Sequence, residues 1–204
     1  MFASLMRRWN RSGLQDESYA GLFEPYVGDE VVVFDTETTG LNTKKDAVLS
    51  IGAVKVKGDK ILTSQSFEIF LKPNKEISAE SIKIHHIRPC DLEHAIDPIE
   101  GVKKFLEFIG NRPLVGYYLE FDVAMINRII KPWLGITLPN TQTDISGLYF
   151  DKKIALIPQG NIDLRFDTIL ESLNIPRMGQ HNALNDAIMT AMVYLKLQHT
   201  HKLH

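Results

Sequence analysis

Val31-Val32-Val33-Phe34 is an unbroken apolar run, the pattern of a strand buried on both faces, and Thr38-Thr39-Gly40 supplies the turn that follows it. Residues 48–57 and 60–71 read as two further strands, the first apolar at Val48, Ile51, Val54 and Val56, joined through the hairpin pair Gly58-Asp59. Three strands linked in this way form an antiparallel meander. The period then lengthens. Asp97-Pro98-Ile99-Glu100 combines an N-cap, a proline at the first helical position and an acid at the third, and Val102, Phe105, Leu106 and Ile109 follow before Gly110 stops the helix. Residues 113–118 make a short strand, and 121–130 a helix ended by Pro132. Further helices are expected over 164–173 and 183–198, the last striped by Ala183, Leu184, Ala187, Ile188, Ala191 and Leu195. Residues 1–28 lack strand alternation, and Leu5, Met6, Trp9 and Leu14 line one face of a short helix. This segment reads as an N-terminal arm, and 29–204 as one domain. Strands first and helices later describe an α+β or mixed α/β sandwich.

Composition narrows the class. A chain of 204 residues with 44 % hydrophobic and 24 % charged residues suits one soluble globular domain, and no apolar stretch is long enough to span a bilayer. The single cysteine, Cys90, cannot close an internal disulfide, and Asp16, Glu17 and Glu24 stand where an export signal needs an apolar run, so the expected location is the cytoplasm. A net charge of −2 disfavours a protein that coats duplex DNA. It leaves room for an enzyme that grips a chain end, because divalent cations can neutralise a phosphate and an acidic metal site itself lowers the formal charge.

Three groups of residues carry candidate chemistry. Asp35 and Glu37 lie two positions apart at the end of the first strand, so both project on one face. Two carboxylates so close repel unless a cation sits between them, although a pair of solvated loop acids would give the same spacing. Asp122 stands at the start of a helix after a strand, where on its own it reads as a first-turn acid complementing the helix dipole. Asp186 lies inside an apolar, alanine-rich helix and needs a partner there, with His181 just ahead of it. His199, His201 and His204 form a histidine-rich end read as a solvated tail.

Together these residues resemble the DEDD exonucleases, which include the proofreading epsilon subunit of bacterial DNA polymerase III, RNase T and oligoribonuclease. The match consists of Asp35-Thr36-Glu37-Thr38-Thr39-Gly40-Leu41, Phe121-Asp122 and His181-x-Ala-x-x-Asp186 in that order, with Ile84-His85-His86-Ile87 resembling the family's Ile-His-Gly-Ile segment. It covers roughly residues 30 to 198. The resemblance implies an RNase H-like α/β fold with a central five-stranded mixed sheet flanked by helices. It also implies two Mg²⁺ or Mn²⁺ ions, with Asp35, Glu37 and Asp186 on the first, Asp35 bridging to the second, Asp122 acting directly or through water, and His181 as general base. Histidine five positions before the last aspartate is similar to the family's histidine branch, and Asn182 disfavours the tyrosine branch.

The residue types suit that chemistry. Two hard cations about 3.5–4 Å apart can bind the phosphate oxygens, lower the pKa of the attacking water and stabilise the leaving oxygen, and a neutral histidine can take the water's proton. The resemblance further implies that Thr38, Leu41, His85 and Phe121 border the terminal nucleotides, offering a hydroxyl, an apolar wedge, a polar contact and an aromatic surface. Tyr117-Tyr118 departs from the family's frequent His-Asn and leaves the sugar preference open. The expected substrate is the 3′ end of single-stranded nucleic acid, DNA favoured over RNA, with RNA trimming and a noncatalytic binding module as alternatives. The replicative subunit's additional C-terminal segment has no counterpart before His204, which favours a freestanding repair or clean-up enzyme. A polymerase partner reached through residues 1–28 and a homodimer both remain compatible with the sequence.

Overall fold

The computed structural model describes residues 2–75, 77–154, 161–179 and 181–199. Helix α1 (Phe2–Ser12) and a 3-10 turn (Glu17–Phe23) precede the meander β1 (Glu30–Thr38), β2 (Val48–Lys57) and β3 (Lys60–Phe70). Helices α2 (Ala79–His85) and α3 (Pro98–Ile109) lead to β4 (Leu114–Gly116) and α4 (Leu119–Leu134), and β5 (Gln142–Asp144) runs directly into α5 (Ile145–Ile154). Helices α6 (Phe166–Ser172) and α7 (Ala183–His199) complete the described chain.

The five strands form one sheet in the order β3-β2-β1-β4-β5, with β1 antiparallel to β2 and parallel to β4. This is the five-stranded mixed sheet that the family resemblance implies. Because β1 is central, both its faces are covered. Val32 and Phe34 pack against α3 and α4 through Phe105, Leu106 and Ile126, whereas Val33 points to the layer that holds Ile145, Ile169 and Val193. That alternation fixes the chemistry at the end of the strand: Thr36 continues the α3/α4 side, and Asp35 and Glu37 the α7 side.

Several expectations correspond to what is built. Gly58 (φ 53°) and Asp59 make the two-residue turn between β2 and β3, and Asp97 accepts from Ile99 N at 2.8 Å and Glu100 N at 3.3 Å to start α3. Others differ. Helix α4 runs through Pro132 to Leu134, because a proline in the last turn removes only one helical hydrogen bond; the fully buried Leu134 anchors that turn and Gly135 (φ 77°) ends it. The N-terminal segment is docked on the body rather than extended from it. Arg7 donates to the Pro139 and Phe23 carbonyls, Asn10 exchanges hydrogen bonds with Thr137, and Leu22 enters the core. Helix α1 therefore turns polar residues inward, and Leu5, Met6 and Trp9 are exposed, while Leu14 packs on the core. His199 reaches Asp59 at 2.7 Å; His201 and His204 lie outside the described residues. Among the described residues no helix is long and apolar enough to cross a membrane.

Candidate active site

The expected carboxylates converge at the C-terminal end of β1. Asp35 pairs across the sheet with Gly52 and Glu37 with Ser50, so both side chains look out over β2 toward the start of α7. Gly52 is what lets α7 come close. A Cβ at that position would lie 2.1 Å from Leu184 N and 2.2 Å from the Ala183 carbonyl carbon, a separation only glycine tolerates. Asn182 caps the helix by accepting from Asn185 N at 2.9 Å, and its own amide donates to Glu68 on β3 at 2.9 Å. His181 stands just before this cap in the left-handed region (φ 51°), as its place in the sequence suggests. Glu37, His181 and Asp186 bring potential ligand atoms within 4.8 Å of one another.

Asp122 arrives from the opposite layer. It is buried in the first turn of α4, and its Oδ1 accepts from Thr36 N at 3.0 Å and from Thr36 Oγ at 2.5 Å. The N-terminus of α4 is itself held by Asp144, which accepts from Leu119 N at 2.9 Å and from Ser146 N at 2.7 Å. Asp144 carried no signal in the sequence, because β5 is too short to show alternation.

Electrostatics mark the cluster as unsatisfied without a cation. Burial, then repulsion from Asp122, Asp186 and Glu37, pushes Asp35 well above the ordinary carboxylate range. Burial and the neighbouring aspartates raise Glu37 to about 7. Asp122 rises to about 7 through burial despite the opposing bonds from Thr36, and Asp186 to about 6 through burial, with Arg177 pulling the other way. No Lys or Arg among the described residues forms a salt bridge with any of the four. Buried, mutually repelling oxygen donors of this kind fit hard divalent cations such as Mg²⁺ or Mn²⁺. His181 is shifted the other way: burial, His86 and Arg177 lower its pKa below the usual histidine value, so the neutral ring prevails near pH 7.

A cavity of about 290 Å³ opens beside these groups, lined by Asp35, His181 and Asp186 together with Tyr117, Phe166 and Arg177. Arg177 is ion-paired to Asp167, which also lines it. Tyr117 stacks near Phe166 and donates to the Leu164 carbonyl at 2.8 Å, and burial raises its phenol to about 12. Sequence reasoning missed Arg177 and Phe166, which come from segments without a recognisable motif.

The expected substrate-contact residues fare unequally. Leu41 is 86 % exposed in the turn that follows β1. Thr38 donates its hydroxyl to the Gly40 carbonyl at 2.8 Å, and Phe121 is half-buried against the α3/α4 layer. His85 does not offer the polar contact expected of it. It is buried, its Nδ1 accepts from Ile87 N at 3.0 Å and its Nε2 meets Ser81 Oγ at 2.6 Å, so both ring nitrogens are spent inside the fold. The exposed neighbour is His86, whose ring lies 6.4 Å from that of His181. It ends α2 at φ 57°, a conformation that glycine adopts without strain and that explains why the related segment carries glycine there.

Residues 32–194 match the RNase T exonuclease family. The chain belongs to that family. The exonuclease domain is 35 % identical over 181 residues to a PolC-type DNA polymerase III of Caldanaerobacter subterraneus subsp. tengcongensis, a match covering 87 % of this chain and 12 % of that protein. It is 29 % identical over 166 residues to the DNA polymerase III epsilon subunit of Aquifex aeolicus, covering 81 % of this chain and 79 % of the subunit. The chain thus spans about an eighth of the PolC-type relative and most of the epsilon subunit. Among solved structures, Escherichia coli Exonuclease I in complex with a dT13 oligonucleotide superposes with a TM-score of 0.69 at 15 % identity, covering 84 % of this chain and 41 % of that one, a likeness of fold.

Proposed function

We propose that this exonuclease domain removes nucleotides one at a time from the 3′ end of single-stranded nucleic acid, DNA in preference to RNA, by hydrolysing the terminal phosphodiester to a nucleoside monophosphate with two Mg²⁺ or Mn²⁺ ions. The observation that carries this reading is the convergence of Asp35, Glu37, Asp122 and Asp186 with no salt bridge to a Lys or Arg among the described residues, beside a histidine held neutral. Asp35, Glu37 and Asp186 would hold the first ion, with Asp35 and Asp122 serving the second. When bound, such ions neutralise the phosphate, activate water and stabilise the leaving oxygen.

The chain's own residues supply the rest. His181 would accept the proton of the attacking water at a ring nitrogen, which only the neutral ring can do. Thr36 fixes the Asp122 carboxylate by two donors to one oxygen, leaving the other oxygen for ligation. Leu41, exposed in the turn after β1, would wedge between the last two bases. The cavity of about 290 Å³ lies at the small end of ligand pockets, which suits one terminal residue rather than a duplex. The oligonucleotide bound by Exonuclease I and the polymerase setting of the epsilon and PolC-type relatives support DNA as the substrate.

The test is digestion of 5′-labelled DNA and RNA oligonucleotides of one sequence, with and without Mn²⁺. The reading expects a ladder of products shortened from the 3′ end, formed faster on DNA and only with metal. Faster digestion of RNA would transfer the assignment to RNA trimming, and no digestion of either would leave a binding module.

A further inference from the structure

Beyond β1 the chain forms a tight turn, Asn42–Asp46, closed by Asp46 N and Lys45 N donating to the Asn42 carbonyl at 2.8 and 3.0 Å. This turn is bolted to the end of the catalytic strand, since Thr39 N donates to the Ala47 carbonyl at 2.9 Å and Ala47 N to Thr39 Oγ at 3.0 Å. It is bolted equally to α4, where Arg128 Nη1 donates to the carbonyls of Asp46 at 2.6 Å and Thr43 at 3.2 Å. Arg128 lies six residues beyond Asp122, about 9 Å along the helix axis. A shallow cavity of about 230 Å³ runs between this turn and the segment after β3, lined by Asp46, Lys72, Asn74 and Arg128 among others. Lys75 pairs with Asp46, one of the lining residues.

The result is a concentration of positive charge in an otherwise slightly acidic chain. Among the described residues, Lys44, Lys45, Lys72, Lys75 and Arg128 lie along this turn and cavity with the acids Asp46 and Asp97, whereas the whole sequence carries 23 basic against 25 acidic residues. Asp97, beside the cavity-lining Pro98, is engaged as the cap of α3. Lys44, Lys45 and Lys72 are exposed, and no salt bridge or side-chain hydrogen bond engages their ammonium groups among the described residues. Leu41 stands between this patch and the carboxylates along the chain. A fixed turn with free ammonium groups, one step beyond an apolar wedge, suits a run of backbone phosphates rather than bases, because lysines bind phosphate as point charges without reading sequence.

We propose that this patch is a track for the phosphate backbone of the strand upstream of the terminal nucleotide, with Lys44, Lys45 and Lys72 as its mobile contacts and Arg128 as the residue that sets the turn. The inference rests on the exonuclease reading for its ligand. It assigns to these residues the grip on substrate length, and leaves hydrolysis to the carboxylates.

The experiment compares wild type with the triple variant Lys44→Gln/Lys45→Gln/Lys72→Gln in two measurements. Binding of a fluorescent 15-nucleotide oligo-dT is titrated across salt concentrations, and turnover is followed on the p-nitrophenyl ester of thymidine 5′-monophosphate, which has no upstream phosphate. Loss of three single-strand phosphate contacts flattens the plot of log affinity against log salt by about 2, so that wild type loses about 20-fold more affinity than the variant between about 50 and 200 mM salt. Turnover of the ester should stay unchanged. Equal salt slopes would overturn the proposal, as would a loss of ester turnover matching the loss of binding. If wild type hydrolyses neither substrate, the exonuclease reading fails, and the salt slopes still decide whether the patch holds the strand.

Discussion

The Oδ1 atom of Asp122 accepts both the backbone N–H and the hydroxyl of Thr36, at 3.0 and 2.5 Å, and so ties the first turn of α4 to the strand that carries Asp35 and Glu37. Thr36 points to the α3/α4 layer while its two acidic neighbours point to α7, so one strand end collects carboxylates from both sides of the sheet. Replacing the hydroxyl releases one of the two donors. Thr36→Val should therefore lower kcat by about 10–100-fold, the usual effect of losing a group that orients a metal-binding carboxylate, and Thr36→Ser should restore most of it. Steady-state kinetics on the three proteins, with circular dichroism to verify folding, checks this.

The crowded carboxylates make stability depend on pH in an unusual sense. Unfolded aspartate and glutamate titrate near about 4, whereas Glu37 and Asp122 are raised to about 7 and Asp186 to about 6 in the folded chain. Between those limits the folded state holds protons that the unfolded state has released, so without metal these groups make stability fall as pH rises from about 4 to 7. Mn²⁺ should reverse the fall at pH 7.5. Thermal melts in chelator and in Mn²⁺ measure it, with about 2–4 °C expected per kcal/mol; a wild-type Tm indifferent to Mn²⁺ at pH 7.5 would remove the metal site.

His181 separates the general base from a merely structural residue. Burial and the adjoining His86 and Arg177 lower its pKa, so activity should already be high at pH 7 and decline only below about 6.5 as the ring gains its proton. With Mn²⁺ saturating, so that the metal-holding carboxylates stay ionised, His181→Ala should cut kcat by about 10²–10⁴-fold and abolish that acid limb. A variant with near-normal kcat and reduced melting temperature would instead assign His181 to packing before α7.

Gly52 governs how closely α7 approaches. Gly52→Ala would place a methyl 2.1 Å from Leu184 N, which forces the start of α7, with His181 and Asp186, away from β1. A displacement of about 1 Å at reacting groups can cost about 10²-fold in rate. The expected result is a loss of that order in kcat with reduced thermal stability, measured on the purified variant; unchanged kcat would show that α7 does not set the geometry of the site.

The parts of this molecule that were legible in the sequence are those whose signals are local. The alternation that puts Asp35 and Glu37 on one face, the Gly58-Asp59 turn and the Asp97-to-Gly110 helix each depend on a few adjacent residues. Strand β5 and helix α5 carry no such local signal, since β5 is three residues long and α5 is only weakly amphipathic. The same limit explains the site. Asp186 and His181 were readable as a motif, whereas Arg177, Phe166 and Asp144 reach it only through tertiary packing. His85 shows the opposite error: its motif was recognised, but burial between Ser81 and Ile87 N spends the side chain on the fold. Helix α1 was seen as amphipathic, yet its polar face is the one bonded to backbone carbonyls of the body.

In the proposed reaction Asp35, Glu37, Asp122 and Asp186 hold the divalent metal that hydrolyses a 3′ terminal phosphodiester. The most direct measurement follows a 5′-labelled single-stranded oligonucleotide with a free 3′ hydroxyl, digested in Mn²⁺ by wild type, Asp35→Ala and Asp186→Asn, beside a 3′-blocked strand and a circular single strand. A 3′-shortening ladder is expected from wild type alone, lost in chelator, strongly slowed by the block and absent from the circle, with both variants folded. Rapid cleavage of the circle, or full activity of Asp35→Ala in excess chelator, would contradict it.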